Sequence, residues 1–103
     1  MTGIVKVREP DHSKARQVYA ALDPHMKSAY VSIRNTPDYD PSAIEHNLQT
    51  ACEQAGGTWI EMRFKPLVIF FETEQARYRL SRTKSRYRCD VIGLSHIRKD
   101  KRP

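Results

Sequence analysis

The stretch "TWIEMRFKPLVIFFE", Thr58 to Glu72, limits the possible folds more than any other part of the chain. Ile60, Met62 and Phe64 alternate with Trp59, Glu61 and Arg63, which is the period of a half-buried strand. "KP" supplies a hairpin turn, and "LVIFFE" predicts a second strand that is apolar on both faces. A chain built around this hairpin must contain a sheet.

The flanking segments predict what packs on it. Upstream, "DPSAIEHNLQTACEQAGG" has Asp40 as N-cap and Pro41 at the first helical position. Ile44, Leu48, Ala51 and Ala55 form one stripe of that helix, and Gly56 and Gly57 close it. Earlier, "GIVKVRE" alternates like a strand, and "DHSKARQVYAALD" places Ala15, Val18, Tyr19 and Leu22 on one helical face before "DPH" ends it. "KSAYVSIRN" reads as a strand, the basic run over residues 74–88 as a helix, and "DVIGLSHI" as a last strand.

From residue 28 onward that order is strand, helix, strand, strand, helix, strand. It is similar to the ferredoxin-like α+β sandwich (βαββαβ), an antiparallel sheet with two helices on one face. The resemblance implies residues 28–98 as the ferredoxin-like domain, residues 1–27 as an N-terminal strand and helix packed on the core, and residues 99–103 as a basic tail. At 103 residues the chain is long enough for one such domain and too short for two.

Charge sharpens the functional expectation. Residues 1–50 carry six basic and six acidic side chains, whereas residues 51–103 carry twelve basic against six acidic, so the whole net charge of +6 sits in the second half. This asymmetry points to a polyanionic partner, DNA or RNA. The excess is densest in "RYRLSRTKSRYR", residues 77–88, with six arginines or lysines and no acidic residue. Read as a helix, it turns Ala76, Leu80, Thr83 and Tyr87 toward the sheet. Arg77, Lys84 and Arg88 then form one flank and Arg79, Arg82 and Arg86 the other, bordering a strip of Tyr78, Ser81 and Ser85. Two guanidinium rows beside hydroxyl groups suit a phosphate backbone. Arg98 and Lys99, where the tail begins, extend the same footprint.

The uncovered sheet face is the second candidate surface. With Val31, Ile33, Ile60, Met62 and Phe64 under the helices, the opposite face presents Tyr30, Arg34, Trp59, Arg63 and Phe70. Aromatic and basic side chains on an open sheet are the means by which RRM domains hold single-stranded RNA. Tyr30 in "AYVSIRN" is similar to the aromatic of their first-strand motif, whereas Pro66 and Val68 stand where the third-strand motif has Gly and aromatic residues. The alternative occupant of this face is a second subunit, making the protein a homodimeric interaction or regulatory module; for the basic segment the alternative is a patch for an acidic protein partner.

Catalytic and metal chemistry find little to stand on. Asp38 and Asp40 in "DYD" could offer two carboxylates to a divalent ion, but Asp40 serves as a helix cap and Asp38 fits a turn. His12, His25, His46 and His96 share no metal-ligand spacing; His96, beside Ser95 and Arg98, is the arrangement closest to metal-free phosphodiester cleavage. Cys52 and Cys89 stand in no ligand spacing and read as structural thiols. "PLVIFF" is too short to cross a membrane and no apolar leader opens the chain, so a cytoplasmic protein without cofactor is expected. The sequence thus predicts a small nucleic-acid-binding protein that uses the helix 74–88 and the C-terminal tail.

Overall fold

The structure, a computed structural model, describes residues 11–96. The expected strand over "GIVKVRE" and the tail with Arg98 and Lys99 lie outside the described residues. Within them the fold is α+β, with two helices followed by a four-stranded antiparallel sheet: α1 (Ser13–Asn35), α2 (Pro41–Gln54), β1 (Thr58–Phe64), β2 (Leu67–Glu72), β3 (Ala76–Arg82) and β4 (Tyr87–Leu94).

The first correction concerns α1. It begins where expected, with the Asp11 carboxylate accepting from the Ser13 N–H at 2.9 Å. It then runs through Pro24 to Asn35, so "DPH" does not end it and "KSAYVSIRN" is its second half, not a strand. Proline removes one backbone hydrogen bond and crowds the preceding turn. The stripe Ala15, Val18, Leu22, Met26 and Ala29 nevertheless continues past it at helical spacing, every member buried. Burial on both sides of the proline outweighs the local break and the β-branched content of "YVSI".

In α2 the local signals hold. Asp40 Oδ1 accepts from the N–H groups of Ser42 and Ala43, and Pro41 occupies the first turn. Gly56, at φ 104°, adopts the left-handed conformation that ends the helix. A Cβ on Gly57 would come within 2.9 Å of Cys52 Sγ and 3.0 Å of Val18 Cγ2, so glycine is what lets α2, α1 and the sheet meet there.

The sheet is a meander in the order β1-β2-β3-β4. With both helices preceding it, the ααββββ order replaces the expected βαββαβ order, and α1 runs unbroken across residue 28. The second correction follows: residues 76–88 are not a helix but β3, a turn over Thr83 to Arg86 and the start of β4. "ARYRLSR" is itself a period-two pattern, with Ala76, Tyr78 and Leu80 buried and Arg77, Arg79 and Ser81 on the other face.

Cross-strand register sets the two faces. The inner rows are Trp59–Phe71–Tyr78–Val91, Met62–Ile69–Leu80–Cys89 and Phe64–Leu67–Arg82–Tyr87. Both helices cover this side, α2 against β1 and α1 against β3, and Val18, Leu22, Met26, Leu48 and Cys52 complete the core. Ile60 is a bulge between Trp59 and Glu61, which moves Trp59 to the inner side, half-buried against the core. The outer rows are Thr58–Glu72–Arg77–Gly93, Glu61–Phe70–Arg79–Asp90 and Arg63–Val68–Ser81–Arg88. Of the aromatic and basic residues expected on the open face, Arg63 and Phe70 are there; Tyr30 and Arg34 belong to α1 and Trp59 to the inner side. No helix among the described residues is long and apolar enough to cross a membrane.

Candidate functional site

Arginine partners divide the basic residues into two sets. On the outer sheet face the guanidinium groups face carboxylates of the same fold: Arg77 to Glu72 at 3.4 Å, Arg79 to Asp90 at 3.6 Å, Arg88 to Asp90 at 2.9 Å and Arg63 to Glu61 at 3.2 Å. Arg63 also lies over the Phe70 ring, 5.5 Å from its centroid. This face is a mosaic of both signs, so the two arginine flanks predicted on a helix do not exist as rows. Tyr78 is buried in the core, its hydroxyl 2.6 Å from His12 Nδ1, and Ser81 sits on the outer face between Val68 and Arg88.

The second set gathers at one end of the molecule. In a meander, the β1–β2 and β3–β4 turns fall at the same end of the sheet, and the C-terminal half of α1 passes over them. Two adjoining hollows result. One, of about 350 Å³, is lined by Lys27, Tyr30, Val31, Arg34, Asn35, Arg82, Thr83 and Lys84. The other, of about 490 Å³, is lined by Tyr30, Ile33, Arg34, Phe64, Lys65, Pro66, Leu67, Arg82 and Thr83. Among the described residues, five cationic side chains from three segments line this cleft, and no carboxylate does.

Local chemistry fixes the cleft's walls. Lys27, Tyr30 and Arg34 are spaced three and four apart on α1 and share a face. Arg34 Nη1 donates to the Tyr30 hydroxyl at 3.1 Å, with the guanidinium carbon 5.6 Å from the ring centre. The Lys65–Pro66 peptide bond is cis at the β1–β2 turn, and Tyr39 stacks on Phe64 with centroids 5.7 Å apart. Arg82, whose side chain is only 10% exposed, pairs with Asp23 of α1, and its guanidinium lies 4.5 Å from the Tyr87 ring centre. Its Nε has no hydrogen-bond partner among the described residues. Tyr87 is held in turn by Tyr19: the rings stack at 4.3 Å, and each hydroxyl donates to the other residue's carbonyl, at 2.6 and 3.0 Å.

Of the residues singled out from sequence, Tyr30, Arg34, Arg82 and Lys84 therefore meet in one place, although they were assigned to two different surfaces. Lys27, Phe64 and Lys65 were missed. Lys27 carries a signal only once residues 24–35 are read as helix, and Lys65 only once the two turns are known to share an end. Ser85 and Arg86 are exposed in the β3–β4 turn. Arg86 also borders a larger hollow of about 820 Å³ between the N-terminal half of α1 and β4, walled by Ala15, Tyr19, Tyr87 and Val91.

Other chemistry finds less support. No group of three or more His, Cys, Asp and Glu residues among the described residues could hold a metal ion. The Asp40 carboxylate is engaged as a helix cap, and the His96 backbone N–H donates to Glu72 Oε1 at 3.3 Å. Burial pushes the Cys52 thiol up to about 12 and the Cys89 thiol up to about 11, the latter helped by Asp90, so both stay protonated at neutral pH. The chain matches no family model, no curated protein sequence and no solved structure.

Proposed function

We propose that the protein binds single-stranded nucleic acid at the cleft between α1 and the two hairpin turns. One observation carries the reading: Lys27, Arg34, Lys65, Arg82 and Lys84 converge on a concave surface that no carboxylate lines among the described residues. Arg82 shares its charge with Asp23, whereas no carboxylate among the described residues lies within ion-pair distance of Lys27, Arg34, Lys65 or Lys84. Unpaired cations on a shared surface keep their counterions until a polyanion displaces them, and that release drives phosphate binding. Tyr30 and Phe64 add ring faces on which bases can stack, and a narrow aromatic cleft suits a single strand better than a duplex. Hydrolysis is not part of this reading.

The test is a salt titration of oligonucleotide binding by fluorescence anisotropy. Changing Lys27, Arg34 and Lys84 together to glutamine removes three phosphate contacts and flattens the log–log salt slope by about 2 for a single strand, at roughly 0.7 per contact. Tyr30→Ala weakens binding by about 1–3 kcal/mol and leaves the slope in place. Arg79→Gln, whose side chain pairs with Asp90, leaves affinity within about twofold. Absence of binding at low salt, or a triple variant with the wild-type slope, overturns the reading.

A further inference from the structure

We infer that β4 is a self-pairing edge through which two copies of the chain join their sheets about a twofold axis, with Cys89 at the centre of the pairing. β4 is the last strand of the sheet and, among the described residues, has no strand on its outer side. Long apolar edges are normally blunted because their free N–H and C=O groups template pairing. β4 is eight residues long and carries three of the four large hydrophobic side chains that are exposed among the described residues: Val91 at 56%, Ile92 at 47% and Leu94 at 82%.

Two observations choose the partner and the register. The Thr83 N–H donates to the Arg86 carbonyl at 2.8 Å, which makes those two a hydrogen-bonded pair. Alternation along an antiparallel ladder then turns the backbone groups of Tyr87, Cys89 and Val91 away from β3. The Tyr19 hydroxyl reaching the Tyr87 carbonyl at 3.0 Å agrees with that phase; it takes one of that carbonyl's two lone pairs and leaves the other for an N–H of the second copy. A twofold pairing must therefore centre on a residue and not between two.

Charge selects among the centres. Arg88 and Asp90 project from the outer face on either side of Cys89. Centring on Arg88 or on Asp90 sets like charges opposite each other, and centring on Val91 sets Asp90 against Ile92 and Arg88 against Leu94. Only the Cys89 centre places Arg88 of each copy opposite Asp90 of the other, an isologous exchange that requires the partner to be a second copy of this chain. On the inner side the same register lays Tyr87 against Val91 and covers the exposed valine. The two β3 strands then stand three strand spacings apart, roughly 14 Å, which leaves room for both α1 helices above them.

Sedimentation velocity over a concentration series tests the inference. The wild type is expected to show a concentration-dependent dimer. Arg88→Asp and Asp90→Arg should each weaken self-association by about tenfold or more, and an equimolar mixture of the two should restore it as a heterodimer, because the opposed charges are again opposite. Val91→Pro removes an outward N–H without touching the β3 ladder, and should give a folded monomer. Cys52 is fully buried, so a short thiol crosslinker should join copies through Cys89 alone. A wild type that stays monomeric across the series overturns the inference, and slow exchange of the outward Tyr87, Cys89 and Val91 amides in that monomer would show that the edge is covered from within the chain. A dimer that none of these substitutions weakens also overturns it, as does a mixture that fails to restore pairing while both single variants are folded.

Discussion

At the scale of single residues, Arg82 shows how a cation can be structural and still border a binding surface. Its guanidinium is nearly buried, pairs with Asp23 and lies on Tyr87, while Asp23 remains 48% exposed. Removing the carboxylate strands a buried charge, whereas removing both members leaves an apolar contact. Asp23→Ala is expected to cost about 1–2 kcal/mol in urea unfolding, at the low end for a buried pair because the carboxylate faces water. The double variant Asp23→Ala/Arg82→Met should recover part of that loss. A double variant less stable than Asp23→Ala alone would show that the guanidinium matters for its packing on Tyr87 and not for its pairing.

At the scale of elements, the two helices make opposite tests of local rules. α2 obeys them, and Asp40→Ala should lower stability by about 1 kcal/mol through the loss of two capping hydrogen bonds. α1 overrides them. Pro24 is exposed in the middle of the helix and contributes no N–H, so Pro24→Ala should raise stability by about 1–3 kcal/mol, with a matching gain in helical circular dichroism. Loss of stability on that change would mean that the proline itself is needed to seat Leu22 and Met26 together.

At the scale of the whole molecule, the buried acids set the alkaline limit of the fold. Burial raises Cys52 to about 12 and Cys89 to about 11 from an ordinary 9.0, and moves Tyr78 and Tyr87 upward as well. A group with a raised pKa in the folded state holds its proton there after the unfolded chain has released it. Its contribution is therefore complete below the unfolded value and is lost as pH rises through the folded one. Urea midpoints should stay level up to about pH 9 and fall between about 9 and 12. Cys52→Ala should make that fall shallower while lowering the plateau at neutral pH, since it leaves a small void against Val18 and Phe71.

The sequence by itself determined α2 with its Asp40 cap, the hairpin from Thr58 to Glu72, and a cationic excess confined to the second half. Each depends on signals a few residues apart: a cap beside its helix, alternation within a strand, a count of charges. It did not determine the length of α1, because Pro24 is a local break and the burial that overrides it comes from β3 and α2. Residues 76–88 satisfy both a helical and a strand pattern, and only pairing with β2 separates them. The site was divided between the two cases. Tyr30, Arg34, Arg82 and Lys84 were visible as residue types, but their meeting depends on the meander bringing two turns beneath α1. Which cations lack a carboxylate partner among the described residues was decided in the tertiary structure alone, because Asp23, Glu61, Glu72 and Asp90 neutralise the guanidinium groups that folding sets beside them and none of them reaches Lys27, Arg34, Lys65 or Lys84.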